Sequence, residues 1–303
     1  MYPFSLRELH RWCSIPFSQL ETHVERKTPF RLVKDATEMA EMMARVLVDE
    51  ITDHNRSSET TRAIVPCGPT GWYKPFTQIV NSEGVTLKNF IVFHMDECLD
   101  WQGRLLPKNH PLNFRTFMER HFYGDIRPEL AVPQAQRHFP TPNNIQQILD
   151  LLWQKPIDIT IGGWGQDGHI AYNQARRDPF IRITMEDLEN STLRIQENNV
   201  DTVIAIAQRN FGTAYQFVPP MSLTLGVKEC LSAKKVRVFS DTGAWKQTAL
   251  RIALFGPITI EYPMTLLQKH SDALITATIE TARHPFSEHP EWDFFSKSDH
   301  DEE

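Results

Sequence analysis

The chain has 303 residues, with 32 Lys or Arg against 38 Asp or Glu, a formal net charge of −6 at pH 7. That balance argues against a broad basic surface for nucleic acid and against a polybasic membrane anchor, while leaving room for a small pocket for one anion. At 41% hydrophobic and 23% charged residues the composition is that of an ordinary globular protein, not of a disordered one.

Residues 1–30 read as an extension. Leu6, Leu9, Trp12 and Cys13 share one face of a short helix, which Pro16 interrupts, and the spacing predicts a helix packed on the body. Arg7, Glu8, His10 and Arg11 stand where a secretory signal needs an apolar run, and no apolar stretch reaches a membrane span. The first long helix opens at Asp35, which with Glu38 matches a capping box. Met39, Met42, Met43, Val46, Leu47 and Ile51 then recur at helical spacing.

From there the sequence alternates. Apolar runs predict strands at 63–65, 89–95, 157–161, 236–240 and 273–276. Helical stretches are expected from Trp72, over 114–122 and from Trp245, and residues 203–207 (VIAIA) fit either strand or helix. The tail beyond 284 is polar and acidic, with Pro285 and Pro290, and reads as a loosely packed end. The four cysteines, Cys13, Cys67, Cys98 and Cys230, form neither a CxxC pair nor a disulfide framework, which points to a reducing compartment and a cytoplasmic protein.

Strands separated by helices predict a parallel sheet covered on both faces, whose ligand sits beyond the C-terminal ends of the strands. Three polar clusters follow strands and should converge there: Gly68-Pro69-Thr70-Gly71, Asp96-Glu97 and Asp167-Gly168-His169. Asp96 is either a helix cap beside a solvated Glu97 or a general base raised in proton affinity by partial burial. In GGWGQDGHIAYN, the glycines at 162, 163, 165 and 168 permit a tight turn and close approach to a ligand. A carboxylate two residues from an imidazole fixes its tautomer, so His169 is the acid/base group with Asp167 as its orienter, or Asp167 is itself the base. Arg209, and Lys246 at a strand-to-helix turn, suit a phosphate, and Thr70 adds a hydroxyl. A metal reading also exists, since His94 and Asp96 alternate on one strand and should face one way, with His169 as a third donor. No HxxxH spacing supports it, and no metal is expected.

In this order, VPCGPTG, FHMDEC, PKNHPLNFRTFMERHF, GGWGQDGHIAYN, Arg209 with VPPMSLTLGV, GAWK and LLQKH resemble the glucosamine-6-phosphate deaminase family, which also includes 6-phosphogluconolactonases. The resemblance covers residues 31–284 as one domain, between the extension 1–30 and an acidic tail 285–303. It implies a three-layer α/β/α, Rossmann-like parallel sheet. It also implies that Asp96 moves a proton between C1 and C2, that Asp167 and His169 assist ring opening, and that Gly68, Thr70, Gly71, Arg209 and Lys246 hold the substrate phosphate. The implied reaction opens an amino-sugar phosphate, isomerises it to a ketose phosphate and releases ammonia, without metal or organic cofactor. The implied partner is a small sugar phosphate. Relatives form monomers as well as hexamers, so a homo-oligomer is compatible.

Three departures stand out. The deaminases carry Phe-Asn-Glu-Pro after the DGH motif, where this chain has Tyr172-Asn173-Gln174-Ala175, and Gln174 cannot take a proton at that relay position. Pro69 removes one backbone N–H from the phosphate turn. Cys98 replaces the tyrosine of DEY. The motifs DEC and DGHIAYN still favour the deaminase branch over lactonases, which have DER and DGHTAS-like motifs. A phosphosugar lactone hydrolase and a catalytically altered sugar-phosphate sensor are the alternatives. Arg194 lies near a region that some relatives use for effectors, and no role is assigned to it here.

Overall fold

A computed structural model describes residues 3–175 and 180–295. In chain order its strands are β1 (Phe30–Val33), β2 (Thr61–Val65), β3 (Phe90–His94), β4 (Asp96–Leu99), β5 (Arg137–His138), β6 (Ile159–Gly162), β7 (Arg194–Glu197), β8 (Met221–Thr224), β9 (Lys235–Ser240) and β10 (Ala273–Thr278). Seven of them make one parallel sheet in the order β1-β10-β9-β6-β2-β3-β5. The other three make a small antiparallel sheet, β4-β8-β7.

The main sheet is buried on both faces, which is why its strands read as apolar runs without alternation. Every residue of β2 is buried. Ile64 points into one core with helices Ile145–Trp153 and Gln247–Phe255, while Ala63 and Val65 point into the other with helices Ala36–Arg56 and Tyr73–Glu83. The result is the expected α/β/α sandwich. Met39, Met43, Leu47 and Ile51 form the buried stripe of helix Ala36–Arg56, and Leu47 is fully enclosed, so Leu47→Ala would cost about 2–5 kcal/mol.

That helix is capped by Asp35, whose carboxylate accepts the N–H groups of Thr37 and Glu38, both at 3.0 Å. Only half of the expected capping box forms. Glu38 reaches past Asp35 and accepts from the N–H of Lys34 at 2.7 Å. Residues 203–207 are helical, inside Val200–Asn210.

Helix Leu6–Cys13 ends before Pro16 and packs on helix Gln247–Phe255, with Trp12 and Cys13 buried. Arg251 secures this attachment. Its guanidinium is buried and donates from Nη2 to the carbonyls of Ile15 at 3.0 Å and Ala282 at 2.7 Å, and burial pushes its pKa down to about 10. The tail is less loose than its composition suggests, because Phe286 and Phe294 lie 5.1 and 5.5 Å from the His10 ring. Residues 1–2 of the extension and 296–303 of the tail lie outside the described residues. All four cysteines are buried and unpaired. No helix among the described residues is long and apolar enough to cross a membrane.

Candidate active site

β9, β6, β2 and β3 are consecutive neighbours, so the loops leaving their C-terminal ends meet on one edge. They enclose a cavity of about 560 Å³, and helix Val200–Asn210 closes it with Thr202, Ile206 and Arg209. Gly68, Thr70, Gly71, Asp96, His169, Arg209 and Lys246 all line this cavity. Asp167 and Gln174 sit directly behind His169, and both are buried. The sequence-predicted residues therefore fall together.

Asp96 does not continue β3. The strand ends at His94, and Asp96 opens β4 of the small sheet, paired with Thr224 of β8. Met95 is bonded to both sheets. Its N–H donates to the Val65 carbonyl at 3.0 Å, and its own carbonyl accepts from Leu225 at 2.9 Å. This break overturns the expected alignment of His94 with Asp96, since strand alternation holds only within one sheet. The His94 ring instead stacks on Phe139 at 3.7 Å, and its Nε2 lies 3.0 Å from the Tyr123 hydroxyl. Among the described residues, no three His, Cys, Asp or Glu side chains come together to hold a metal.

Burial, and then the neighbouring Glu97, push the Asp96 carboxyl up to about 7. Glu97 is not solvated. It is 3% exposed and accepts the N–H groups of Cys98 (3.0 Å), Phe114 (2.7 Å) and Arg115 (2.8 Å). It thereby fastens the start of helix Phe114–His121 to β4, a negative charge at the positive end of a helix. Burial still pushes Glu97 up to about 7 against those donors.

His169 Nδ1 lies 2.6 Å from Asp167 Oδ1, so that nitrogen carries the proton and Nε2 is left as the basic site. Burial alone would raise Asp167, but the charge and hydrogen bonds of His169 outweigh it and hold the carboxyl at about 2. The Gln174 amide nitrogen donates to Asp167 Oδ2 at 3.1 Å and also to the Thr202 hydroxyl, while its oxygen accepts the Asn199 N–H at 3.0 Å. That last bond fixes which end of the amide faces Asp167. The loop is held tight by Gly165 N–H to the His169 carbonyl and Gly168 N–H to the Gly165 carbonyl, both at 3.0 Å. A Cβ on Gly165 would lie 2.0 Å from the His169 ring. Gly168 has φ +71°, the left-handed region that favours glycine.

The cationic end is built by Lys246 and Arg209. Lys246 lies over the Trp164 ring, 5.6 Å from its centroid. Burial, with the charge of Arg209 adding to it, lowers Lys246 to about 8. The buried indole N–H of Trp164 has no hydrogen-bond partner among the described residues.

Sequence reasoning missed Thr202 and Trp164. Trp164 stands inside the Gly-rich run, where a bulky residue among glycines was the available signal. Thr202 carries none, because helical periodicity marks the core face but not the polar residue that turns toward a pocket. The tyrosine absent at position 98 has a neighbour in its place: the Tyr172 hydroxyl lies 3.7 Å from Cys98 Sγ, and the Tyr172 ring faces that of His169 at 6.0 Å.

This chain is similar to the glucosamine-6-phosphate deaminase of Phocaeicola vulgatus, at 32% identity over 213 residues, covering 68% of this chain and 73% of the relative. No family model matches the chain. Among solved structures, a monomeric glucosamine-6-phosphate deaminase has a TM-score of 0.69 at 20% identity, covering 84% of this chain and 98% of its own. A 6-phosphogluconolactonase from Shewanella baltica has a TM-score of 0.59 at 14% identity, covering 83% and 97%. At these identities the two structures speak for the fold alone.

Proposed function

Because the chain belongs to the glucosamine-6-phosphate deaminase family, we propose that it opens the ring of an amino-sugar 6-phosphate, isomerises the aldose and releases ammonia, giving fructose 6-phosphate from glucosamine 6-phosphate. The observation that carries this reading is the meeting of an acid/base dyad, a raised carboxyl and two cations in one cavity of about 560 Å³. We assign the reaction to residues 31–284, with 1–30 and 285–303 as flanking segments, and place it in the cytoplasm.

The roles follow from the chemistry of each group. The substrate phosphate is held by Arg209, Lys246 and the turn Gly68-Pro69-Thr70-Gly71, with the Thr70 hydroxyl as a donor. His169 Nε2 takes the proton of the anomeric hydroxyl and returns one to the ring oxygen, and Asp167 stabilises the imidazolium in between. Asp96 removes the C2 proton as the C1 oxygen takes one up, then delivers it to C1 as the nitrogen gives one up, which leaves a ketimine at C2. Water adds to that carbon, and the amine leaves as ammonia. A carboxyl poised near 7 is suited to both halves of this transfer, since it gives up and regains a proton at little cost. The reaction balances with one water consumed and one ammonia formed.

The test is a panel of hexose and hexosamine 6-phosphates, with ammonia and ketose phosphate both measured. Ammonia and fructose 6-phosphate from glucosamine 6-phosphate are expected. Neither product, together with no solvent deuterium at C1 or C2, would refute the reading.

One observation favours a second reading. Gln174 is neutral, so His169 and Asp167 stand as a two-member base able to activate water, which suits hydrolysis of a phosphosugar lactone. Rapid lactone hydrolysis lost in His169→Ala would support it over deamination.

A further inference from the structure

A second cleft, of about 150 Å³, opens where helix Phe114–His121, β5 and helix Ile145–Trp153 meet. Arg115, Arg137, His138, Asn144 and Gln147 contribute its polar lining. Its charge is one-sided. The one carboxylate within 4 Å of either arginine among the described residues is that of Glu119, 3.7 Å from Arg115 Nε and 3.9 Å from Arg137 Nη1. Those lengths are too great for hydrogen bonds, and one negative charge stands against two positive ones.

Each guanidinium lies over an aromatic ring. Arg137 lies 4.1 Å over Tyr123 and directs Nε and Nη2 at the Val132 carbonyl, at 3.0 and 2.7 Å, which leaves Nη1. Arg115 lies 5.2 Å over Phe139, and its guanidinium makes no hydrogen bond within the described residues. Arg137, already held in place, loses little freedom when a ligand binds. The cleft, at about 150 Å³, far exceeds the ~10–15 Å³ of comparable space that one water needs. That admits one tetrahedral oxyanion with some water.

Arg115 is also linked to the main site through its backbone. Its backbone N–H donates to Glu97 Oε2 at 2.8 Å, and the adjacent Phe114 lines the large cavity. We propose that this cleft is a second anion site, taking phosphate as the free ion or as the head of a monoester, and that its occupancy is felt at Asp96 and Glu97 through Arg115. The binding half stands apart from the reaction assigned above; the coupling half rests on it.

Calorimetry on the full chain tests the binding half, with inorganic phosphate as the probe. In a variant carrying Lys246→Met and Arg209→Met, which removes the cations of the large cavity, one saturable site is expected to remain. Adding Gln147→Glu, a like charge at an exposed cleft position, should weaken that site at least tenfold, and adding Arg115→Gln should do the same. No remaining site, or a site indifferent to both substitutions, overturns the proposal. Circular dichroism on each variant separates lost binding from lost folding. Titration with glucose 6-phosphate then distinguishes the two sources. Tighter binding than that of phosphate supports a monoester, and binding of phosphate alone supports the free ion.

Turnover at saturating substrate, where competition in the large cavity has vanished, tests the coupling. If the cleft takes the free ion, added phosphate is expected to change kcat at least twofold in the wild type and not in Gln147→Glu; if it takes monoesters, saturating substrate already fills it, and kcat itself is expected to differ at least twofold between the wild type and Gln147→Glu. An unchanged kcat beside an occupied cleft overturns the coupling. If no substrate turns over, the assigned reaction fails instead, and the calorimetric result still decides the binding half.

Discussion

Gln174 and Asp167 meet through an amide N–H and a carboxylate oxygen 3.1 Å apart, an attractive contact at a position where related deaminases carry a second carboxylate. Gln174→Glu would replace a buried donor with a like charge and leave Thr202 without that amide. The expected stability loss at pH 7 is about 1–3 kcal/mol. It should shrink toward pH 5, as one of the two facing carboxyls takes up a proton and restores a donor. Melting curves at the two pH values check this, and an equal loss at both would refute the electrostatic account. If deamination is the reaction, the added charge should strengthen His169 as a base and raise ammonia release. No change in rate would show that this position has left the mechanism.

The pH profile of kcat/KM follows from two groups. As the proposed base, Asp96 would work only when ionised, so activity should rise with pH through about 7, on a limb that belongs to the Asp96–Glu97 pair rather than to one residue. In the proposed role Lys246 holds phosphate as a cation, so activity should fall as pH passes about 8. A narrow bell between these values is expected. Lys246→Arg should push the alkaline limb upward, because guanidinium stays charged. An alkaline limb unmoved by that substitution would dissociate Lys246 from the substrate.

Asp96→Asn should abolish solvent exchange at C2 and lower kcat by about 10²–10⁴. Its effect on stability has the opposite sign. The folded state holds this carboxyl near 7, above its ordinary value of 3.8, so stability is lost as pH rises between those two values. Removing the group removes that loss. The variant should therefore gain stability over the wild type at pH 8 and gain little at pH 4, as read by denaturant titration. A variant less stable at pH 8 would count against the raised carboxyl.

Gly165→Ala should behave like His169→Ala. A Cβ would stand 2.0 Å from the imidazole, which the 2.6 Å bond to Asp167 prevents from stepping aside without breaking the dyad. Far-ultraviolet circular dichroism should be unchanged while turnover falls to the His169→Ala level. Full activity would mean that the ring can move and still work.

Much of this arrangement is legible in the sequence, for a physical reason. Strands buried on both faces must be continuously apolar, so Ala63, Ile64 and Val65, or Ile159 and Ile161, announce themselves, and the glycines and carboxylates after them mark where each strand stops. What is not legible depends on partners far along the chain. Nothing near Glu97 says that it will cap a helix 17 residues away. Alternation at His94 and Asp96 cannot reveal that the chain changes sheets between them. Thr202 meets Gln174 only because helix Val200–Asn210 crosses the mouth of the cavity.

The peptide of Met95 is tied on one side to β2 and on the other to the residue that follows β8. The carboxylate next to it therefore takes its coordinates from two frameworks at once, as a pin takes its position from both plates it joins. Any change that slides one sheet against the other, however remote from substrate, alters the reach of Asp96 toward the carbon it is proposed to deprotonate. Proton transfer is steep in distance, so residues at the junction of the two sheets should prove sensitive in turnover while leaving affinity untouched. Leu225, buried and bonded to Met95, is where that mechanical sensitivity would first be felt.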